Sequence, residues 1–357
     1  KIKNLKRPSS HLSIPRNKKK IWLDKNENLD SKLSKFNNKI LNQIDPSVIS
    51  SYPEAAKLYK KISNLYNINK NEILLTNGSD GGIRMTFEVF INKNDKVLIM
   101  NPTFAMYDIY CKMFKSNYDF VNYEIKNKKP FIDINTILSK LKNFKPKLFC
   151  LANPDSPTGN SYKKSEIIKI INLCKKNNIL ILVDEAYFHF SKLSVIKLIN
   201  KYDNLIIVRT FSKAWGVAGI RLGFLVSNKK NIELFNTFRP MYEVSSISIA
   251  IMEKLINYPD QMKESVMRLI EGKKYFLRLM KTLKFDGFDT QGNFLFINFG
   301  KFSKVINNHL KKNTLVRYNF NHISLKNYTR FSATTKNNFF QIYKDILYII
   351  KKNNFKL

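Results

Sequence analysis

Thr210-Phe211-Ser212-Lys213-Ala214-Trp215-Gly216-Val217-Ala218-Gly219-Ile220-Arg221 follows directly on Leu205-Ile206-Ile207-Val208-Arg209, and this junction decides how the chain is read. The first run is short, apolar and β-branched, the pattern of a buried strand. What leaves its end is chemical. One amine, Lys213, stands close to two hydroxyls, Thr210 and Ser212, with the guanidinium of Arg221 eight residues further on. An amine so placed can condense with an aldehyde, while hydroxyls and an arginine can hold a phosphate.

Working outward, short apolar runs recur at 72–75, 97–100, 148–152, 179–183 and 205–208. Periodic segments separate them; residues 164–176 carry Ile167, Ile168, Ile170, Ile171 and Cys174 at helical spacing. The pattern predicts an α/β protein with a mainly parallel sheet covered by helices on both faces. Such sheets place ligands at the carboxyl ends of their strands. The first thirty residues, rich in Lys, Pro and Ser, read as an arm (1–30), followed by a large domain over 31–245. From 246 to 357 the expectation is a smaller C-terminal α/β domain. It contains a long helical stretch, strands near 294–299 and 315–318, a closing helix over 339–351 and a frayed tail from 351.

Motifs fall at the predicted strand ends. Val183-Asp184-Glu185-Ala186-Tyr187 places a carboxylate three residues before a phenol. Alone, the pair reads equally as a helix-capping Asp and a core Tyr. Beside Lys213 it reads as chemistry, because a carboxylate buried after an apolar run calls for a cationic partner. Thr76-Asn77-Gly78-Ser79-Asp80-Gly81-Gly82 joins a strand to a helix, and the free amides of a helix start, with the Ser79 hydroxyl, suit phosphate oxygens. Asn101-Pro102-Thr103-Phe104 and Asn153-Pro154-Asp155-Ser156-Pro157-Thr158-Gly159 follow two further strands.

Together these runs resemble fold-type I aminotransferases, and histidinol-phosphate aminotransferases most of all. The resemblance implies pyridoxal 5'-phosphate as cofactor, with Lys213 in the Schiff-base position. It implies that Asp184 pairs with the pyridinium nitrogen and that Tyr187 donates to the ring oxygen. Gly78, Ser79 and Asp80 fall in the turn that holds the cofactor phosphate in the family, together with Thr210, Ser212 and Arg221. Phe104 takes the place of the aromatic residue stacked on the ring. Tyr52, in Ser51-Tyr52-Pro53-Glu54, matches the tyrosine that reaches the neighbouring subunit's cofactor, which implies a homodimer with shared active sites. Arg330 matches the arginine that forks a substrate carboxylate, and Arg317 a second one that binds a distal phosphate. Trp22-Leu23-Asp24-Lys25-Asn26-Glu27-Asn28 resembles a segment expected to fold over the site.

Two departures stand out. Ser156 replaces an asparagine that bonds the ring oxygen, and serine has the shorter reach. Pro8-Ser9-Ser10 lacks the tyrosine usual after the early proline. The resemblance therefore implies transamination of a small phosphate-bearing amine or amino acid, with substrates other than histidinol phosphate, such as serinol phosphate or dihydroxyacetone phosphate, left open. Decarboxylation of O-phosphoserine or O-phosphothreonine is the rival reading.

The net charge of +35 over 357 residues raises a nucleic-acid or membrane-surface alternative. The excess is lysine scattered among asparagines, not a concentrated basic face, so a polyanion-binding protein on a degenerate aminotransferase fold is the remote reading. A positive field would still draw anionic substrates. No apolar run approaches the roughly 20 residues needed to span a bilayer. Cys111, Cys150 and Cys174 lack metal-ligand spacing; no metal site is expected, and a reducing cytoplasm is.

Overall fold

The computed structural model describes residues 16–355. Its main sheet has seven strands: β1 (Ile73–Thr76), β2 (Lys96–Asn101), β3 (Asn117–Asn122), β4 (Leu148–Ala152), β5 (Leu180–Asp184), β6 (Leu205–Thr210) and β7 (Gly223–Ser227). They lie in the order β1-β7-β6-β5-β4-β2-β3. β7 alone runs opposite to the other six strands, pairing Gly223 with both Thr76 and Thr210. The α/β expectation is thus met.

Strands β4 and β5 read Leu-Phe-Cys-Leu-Ala and Leu-Ile-Leu-Val-Asp, apolar at successive positions because both faces are covered. Alternate residues divide between two cores. Leu98, Phe149, Leu151, Ile181, Val183 and Ile207 face the first, against helices Ala56–Tyr66, Ile134–Phe144 and Lys164–Lys176. Ile99, Leu148, Cys150, Leu182, Ile206 and Val208 face the second, against helices Gly78–Phe90, Ala105–Met113 and Lys229–Phe238. This period of two is what a pleated strand imposes.

A three-stranded antiparallel sheet, β8 (Asp286–Asp289), β9 (Phe294–Asn298) and β10 (Tyr328–Ser332), carries a third core with helix Lys336–Lys352. Helix Pro259–Thr282 serves two cores: Met262, Val266 and Leu269 pack with the main sheet, Phe276 and Met280 with the small one. The N-terminal strap joins the small sheet's side. Ile21–Trp22 pairs with Thr314–Leu315, and the Leu23 carbonyl accepts from Ser332.

Some expectations need correction. The strand sought at 315–318 is only Thr314–Leu315; Arg317 instead makes an isolated bridge to Arg330. The tail is not frayed through residue 355, since Phe355 stacks on Phe302 with centroids 4.3 Å apart. Pro8-Ser9-Ser10 lies outside the described residues. Among the described residues, no helix is long and apolar enough to cross a membrane.

Candidate active site

A cleft of about 360 Å³ opens at the carboxyl ends of β4, β5 and β6. Lys213, three residues past the end of β6, projects into it, and its Nζ donates to the Lys25 carbonyl at 3.2 Å. The Tyr187 ring centroid is 5.9 Å from the same nitrogen. The turn beneath is fixed locally: the Thr210 hydroxyl donates to Ser212 Oγ (2.9 Å), and the Ser212 N–H donates back to Thr210 Oγ1 (3.1 Å).

On one side of the cleft the groups suit an anion. Helix Gly78–Phe90 starts at its rim without a side-chain cap, leaving first-turn amides available. Arg221 turns back over this end; its Nη1 lies 3.5 Å from Ser212 Oγ. Two glycines make the approach possible. Gly78 has φ +71°, and a Cβ there would come within 2.8 Å of the Arg221 guanidinium. At Gly223 a Cβ would strike the Gly78 carbonyl carbon at 2.5 Å, so the helix start rests directly on β7. Ser79 and Asp80 line the cleft, and Asp80 accepts from the Tyr110 phenol at 2.9 Å.

The same cleft holds Asp184, the last residue of β5 and almost fully buried. It accepts from the Ala186 N–H (3.0 Å) and the Tyr107 phenol (3.2 Å). Burial pushes its carboxyl up to about 6 despite these bonds. Among the described residues no lysine, arginine or histidine forms an ion pair with it. A buried carboxylate in this state fits a cationic partner brought in by a ligand, and a protonated pyridine nitrogen is such a partner. Phe104 presents a ring at the cleft, edge-on to Tyr107 with centroids 6.2 Å apart, and Ser156 completes the lining. Amine, carboxylate, flat aromatic face and anion cradle together fit pyridoxal 5'-phosphate.

Four sequence candidates take other places. Gly78 lies beneath Arg221, outside the lining proper. Tyr52 is absent from this cleft. It is 75% exposed, stacks on Tyr242 (4.3 Å, 12°) and lines an adjoining open cavity of about 810 Å³ that Arg221 also borders. Arg330 is buried in β10, its Nη2 donating to the Asp24 carbonyl at 2.6 Å while Nε has no partner. Burial pushes its guanidinium down to about 10, and the nearby charge of Arg317 acts in the same direction. Arg317 is exposed, exchanging backbone hydrogen bonds with Arg330 and holding its guanidinium 5.6 Å from the Phe320 centroid.

The segment 22–28 does lie over the site, with Lys25 and Glu27 in the lining, but several individual contributors had no role assigned from sequence. Asn26 donates from Nδ2 to the Tyr187 phenol oxygen at 3.0 Å. Tyr107, whose phenol donates to Asp184, was not singled out in the sequence. Asp155 is fully buried and pushed up to about 6 by that burial, although Thr103 and Thr158 donate to it at 2.7 and 2.6 Å. It ties the loop of Ser156 to the loop of Phe104. The Asn-Pro-Asp-Ser-Pro-Thr-Gly run contained that signal, but the partner loop was not foreseeable from it.

An amine beside a cation-seeking carboxylate, above a helix-end cradle on a mainly parallel sheet, is the arrangement of fold-type I pyridoxal-phosphate enzymes. Comparison with known proteins narrows this. The chain belongs to the aminotransferase class I and II family, whose model matches residues 18–341. It is 33% identical over 324 residues to the histidinol-phosphate aminotransferase of Clostridium novyi (strain NT), covering 89% of this chain and 88% of the relative. Among solved structures, the histidinol-phosphate aminotransferase of Sinorhizobium meliloti in complex with pyridoxal-5'-phosphate superposes with a TM-score of 0.81 at 18% identity, covering 93% and 91% of the two chains. The L-threonine-O-3-phosphate decarboxylase of Porphyromonas gingivalis shares the fold at a TM-score of 0.76 and 19% identity, covering 93% and 99%. The protein is a pyridoxal-phosphate-dependent aminotransferase.

Proposed function

We propose that this aminotransferase acts on a small phosphate-bearing amine of the histidinol phosphate kind, with Lys213 as its proton-transferring residue. One observation carries the reading: a single cleft gathers Lys213, Asp184, Tyr187, Ser79, Ser212 and Arg221. Bound pyridoxal phosphate supplies an aldehyde for amines and a ring that accepts electrons from the substrate carbon. Lys213 Nζ, held by the Lys25 carbonyl in this structure, would on release be the group that moves the proton of the substrate carbon. Asp184 would hold a proton at the ring nitrogen, and the Tyr187 hydroxyl would donate to the ring oxygen, with Ser156 as a shorter second donor. Phe104 would cover the ring face. The amides from Gly78 to Asp80, with Ser79, Thr210, Ser212 and Arg221, would hold the phosphate.

For the substrate, Arg330 is the anchor. A buried guanidinium with one carbonyl bond and an unpartnered Nε has capacity for a forked anion. Arg317, joined to it by backbone bonds, adds positive charge for a distal phosphate. A homodimer is proposed because Tyr52 lies outside the lining of its own cleft, in an open cavity bordered by exposed Tyr242 and Ile49 near Arg221. A second subunit covering this face would bring Tyr52 to the partner's cofactor. The three buried free cysteines support a reducing cytoplasm. We assign 31–245 to a cofactor-binding unit, 246–357 to a smaller unit and 1–30 to an arm, with helix Pro259–Thr282 packed into both cores.

The test is the visible spectrum of the protein with added pyridoxal phosphate, before and after histidinol phosphate, serinol phosphate, phosphoserine and glutamate, while carbon dioxide is trapped. A visible band lost on adding a phosphate-bearing amine, without carbon dioxide, is expected. Carbon dioxide from phosphoserine would replace the substrate assignment with decarboxylation. An unaltered band and undiminished turnover in Lys213→Ala would overturn the role of Lys213.

A further inference from the structure

Three consecutive residues of the N-terminal strap touch three functional side chains. The Asp24 carbonyl accepts from Arg330 (2.6 Å), the Lys25 carbonyl from Lys213 (3.2 Å), and Asn26 Nδ2 donates to Tyr187 Oη (3.0 Å). The first two contacts are made by main chain and are indifferent to residue type. The third depends on the side chain.

Asn26 is held for this contact. It is 2% exposed and adopts φ +55°, a left-handed conformation that asparagine tolerates better than most residues. Its N–H donates to Ser332 Oγ (2.9 Å), and its carbonyl accepts from Asn293 Nδ2 (2.8 Å). Its Nδ2 stands toward the phenol, with Oδ1 3.2 Å from the Ser332 hydroxyl, which donates more closely to the Leu23 carbonyl at 2.8 Å. A phenol has one hydrogen. With an N–H already directed at its oxygen, that hydrogen points elsewhere, and Tyr187 lines the cofactor cleft.

We propose that Asn26 is a positioning residue that turns the Tyr187 hydroxyl so that its single hydrogen is donated into the cofactor cleft. The inference rests on the reading of Tyr187 as donor to the ring oxygen. The hold comes from the small-sheet side: Ser332 lies two residues after Arg330 on β10, so one strand carries both the anion anchor and the tether of Asn26. The strap thereby links the site's substrate side to its cofactor side.

The test is a double-mutant cycle of Asn26→Gly with Tyr187→Phe. It reads the dissociation constant of pyridoxal phosphate titrated into cofactor-free protein, and the midpoint pH of the visible band of the loaded protein. Glycine keeps the left-handed backbone unstrained while deleting the amide. Asn26→Gly should raise the dissociation constant roughly three- to tenfold, the scale of one hydrogen bond, and move the midpoint. In the Tyr187→Phe background the same change should be under about twofold. Asn26→Asp keeps the shape but substitutes an acceptor that draws the phenol hydrogen out of the cleft, so it should weaken binding at least as much; it serves where the glycine variant folds poorly. Equal effects in both backgrounds, or an unmoved midpoint and dissociation constant, would overturn the proposal. A wild-type protein with no visible band would instead defeat the functional reading beneath it.

Discussion

Asp184 and Glu185 are neighbours in sequence, both carboxylates and both buried, yet they face opposite sides of the sheet and meet opposite circumstances. Glu185 accepts two hydrogen bonds from Arg209 (3.0 and 2.7 Å), one from Ser194 and one from the Val195 N–H. The guanidinium is stacked near Phe188 and Tyr66, 3.6 and 4.7 Å from their centroids. His189 nearby is pushed down to about 3 by burial and by Arg209, so it adds no second cation there at neutral pH. Asp184, one residue earlier, has hydrogen bonds but no cation. The strand's pleat thus assigns one carboxylate to structure and leaves the other for a ligand. A buried charge completed by the protein belongs to folding, and one left incomplete belongs to binding.

The largest effect should come from breaking the completed side. Glu185→Ala strands Arg209 in the core and should cost about 3–5 kcal/mol in stability, read by urea denaturation of the cofactor-free protein. The opposite side should respond in a different currency. Asp184→Asn should lower turnover by about 10²–10³-fold, on the scale of a lost electrostatic contact in a preorganised site. Cofactor-free stability should hold or rise, because a desolvated carboxylate is replaced by a neutral amide. If Asp184→Asn unfolded the protein as readily as Glu185→Ala does, the division of labour would be wrong.

This contrast also explains what was legible in the sequence. Strand ends, glycine turns and the Lys213 run are local features, each written in a few adjacent residues, so the α/β sheet and the gathering of Lys213, Asp184, Tyr187 and Arg221 could be anticipated. β7 was not, because its five residues open with glycine and pair antiparallel in a sheet read as mainly parallel. Asn26, Tyr107 and Asp155 depend on contacts 52 to 161 residues away in sequence, which no spacing encodes. The Glu185–Arg209 pair is hidden likewise, since its two strands meet only in the folded sheet. The tail was misread because its lysines and asparagines mask the single anchoring ring of Phe355.

Asp184 supplies a pH test of the same comparison. Its folded carboxyl is raised to about 6 from an ordinary 3.8, so between these values the native state binds more protons than the unfolded chain. Stability contributed by such a group falls as pH rises through that window. Cofactor-free wild type, measured against Asp184→Asn, should therefore lose on the order of 1–3 kcal/mol of relative stability between pH 4 and 7. Asp155 is raised in the same direction, is present in both proteins and acts on Asp184 through its charge, so the difference reports Asp184 together with that coupling. A flat difference would mean that Asp184 already has a charge partner within the chain.

The smallest expected effect asks whether the two faces are separable. Ser194 donates to Glu185 Oε2 (2.9 Å) and accepts from Arg209 Nη2 (2.6 Å), bridging the ion pair without approaching the cleft. Ser194→Ala deletes the bonds to Glu185, Arg209 and the Ile196 N–H but leaves both charges facing each other. The cost should be about 1–2 kcal/mol in denaturation, the scale of hydrogen bonds lost while the main partners remain. Pyridoxal phosphate should bind Ser194→Ala with an unchanged dissociation constant, since Ser194 is absent from the cleft lining. A weakened cofactor affinity at that site would show that the ion pair also sets the position of the strand end carrying Asp184, and the two faces would then act as one unit.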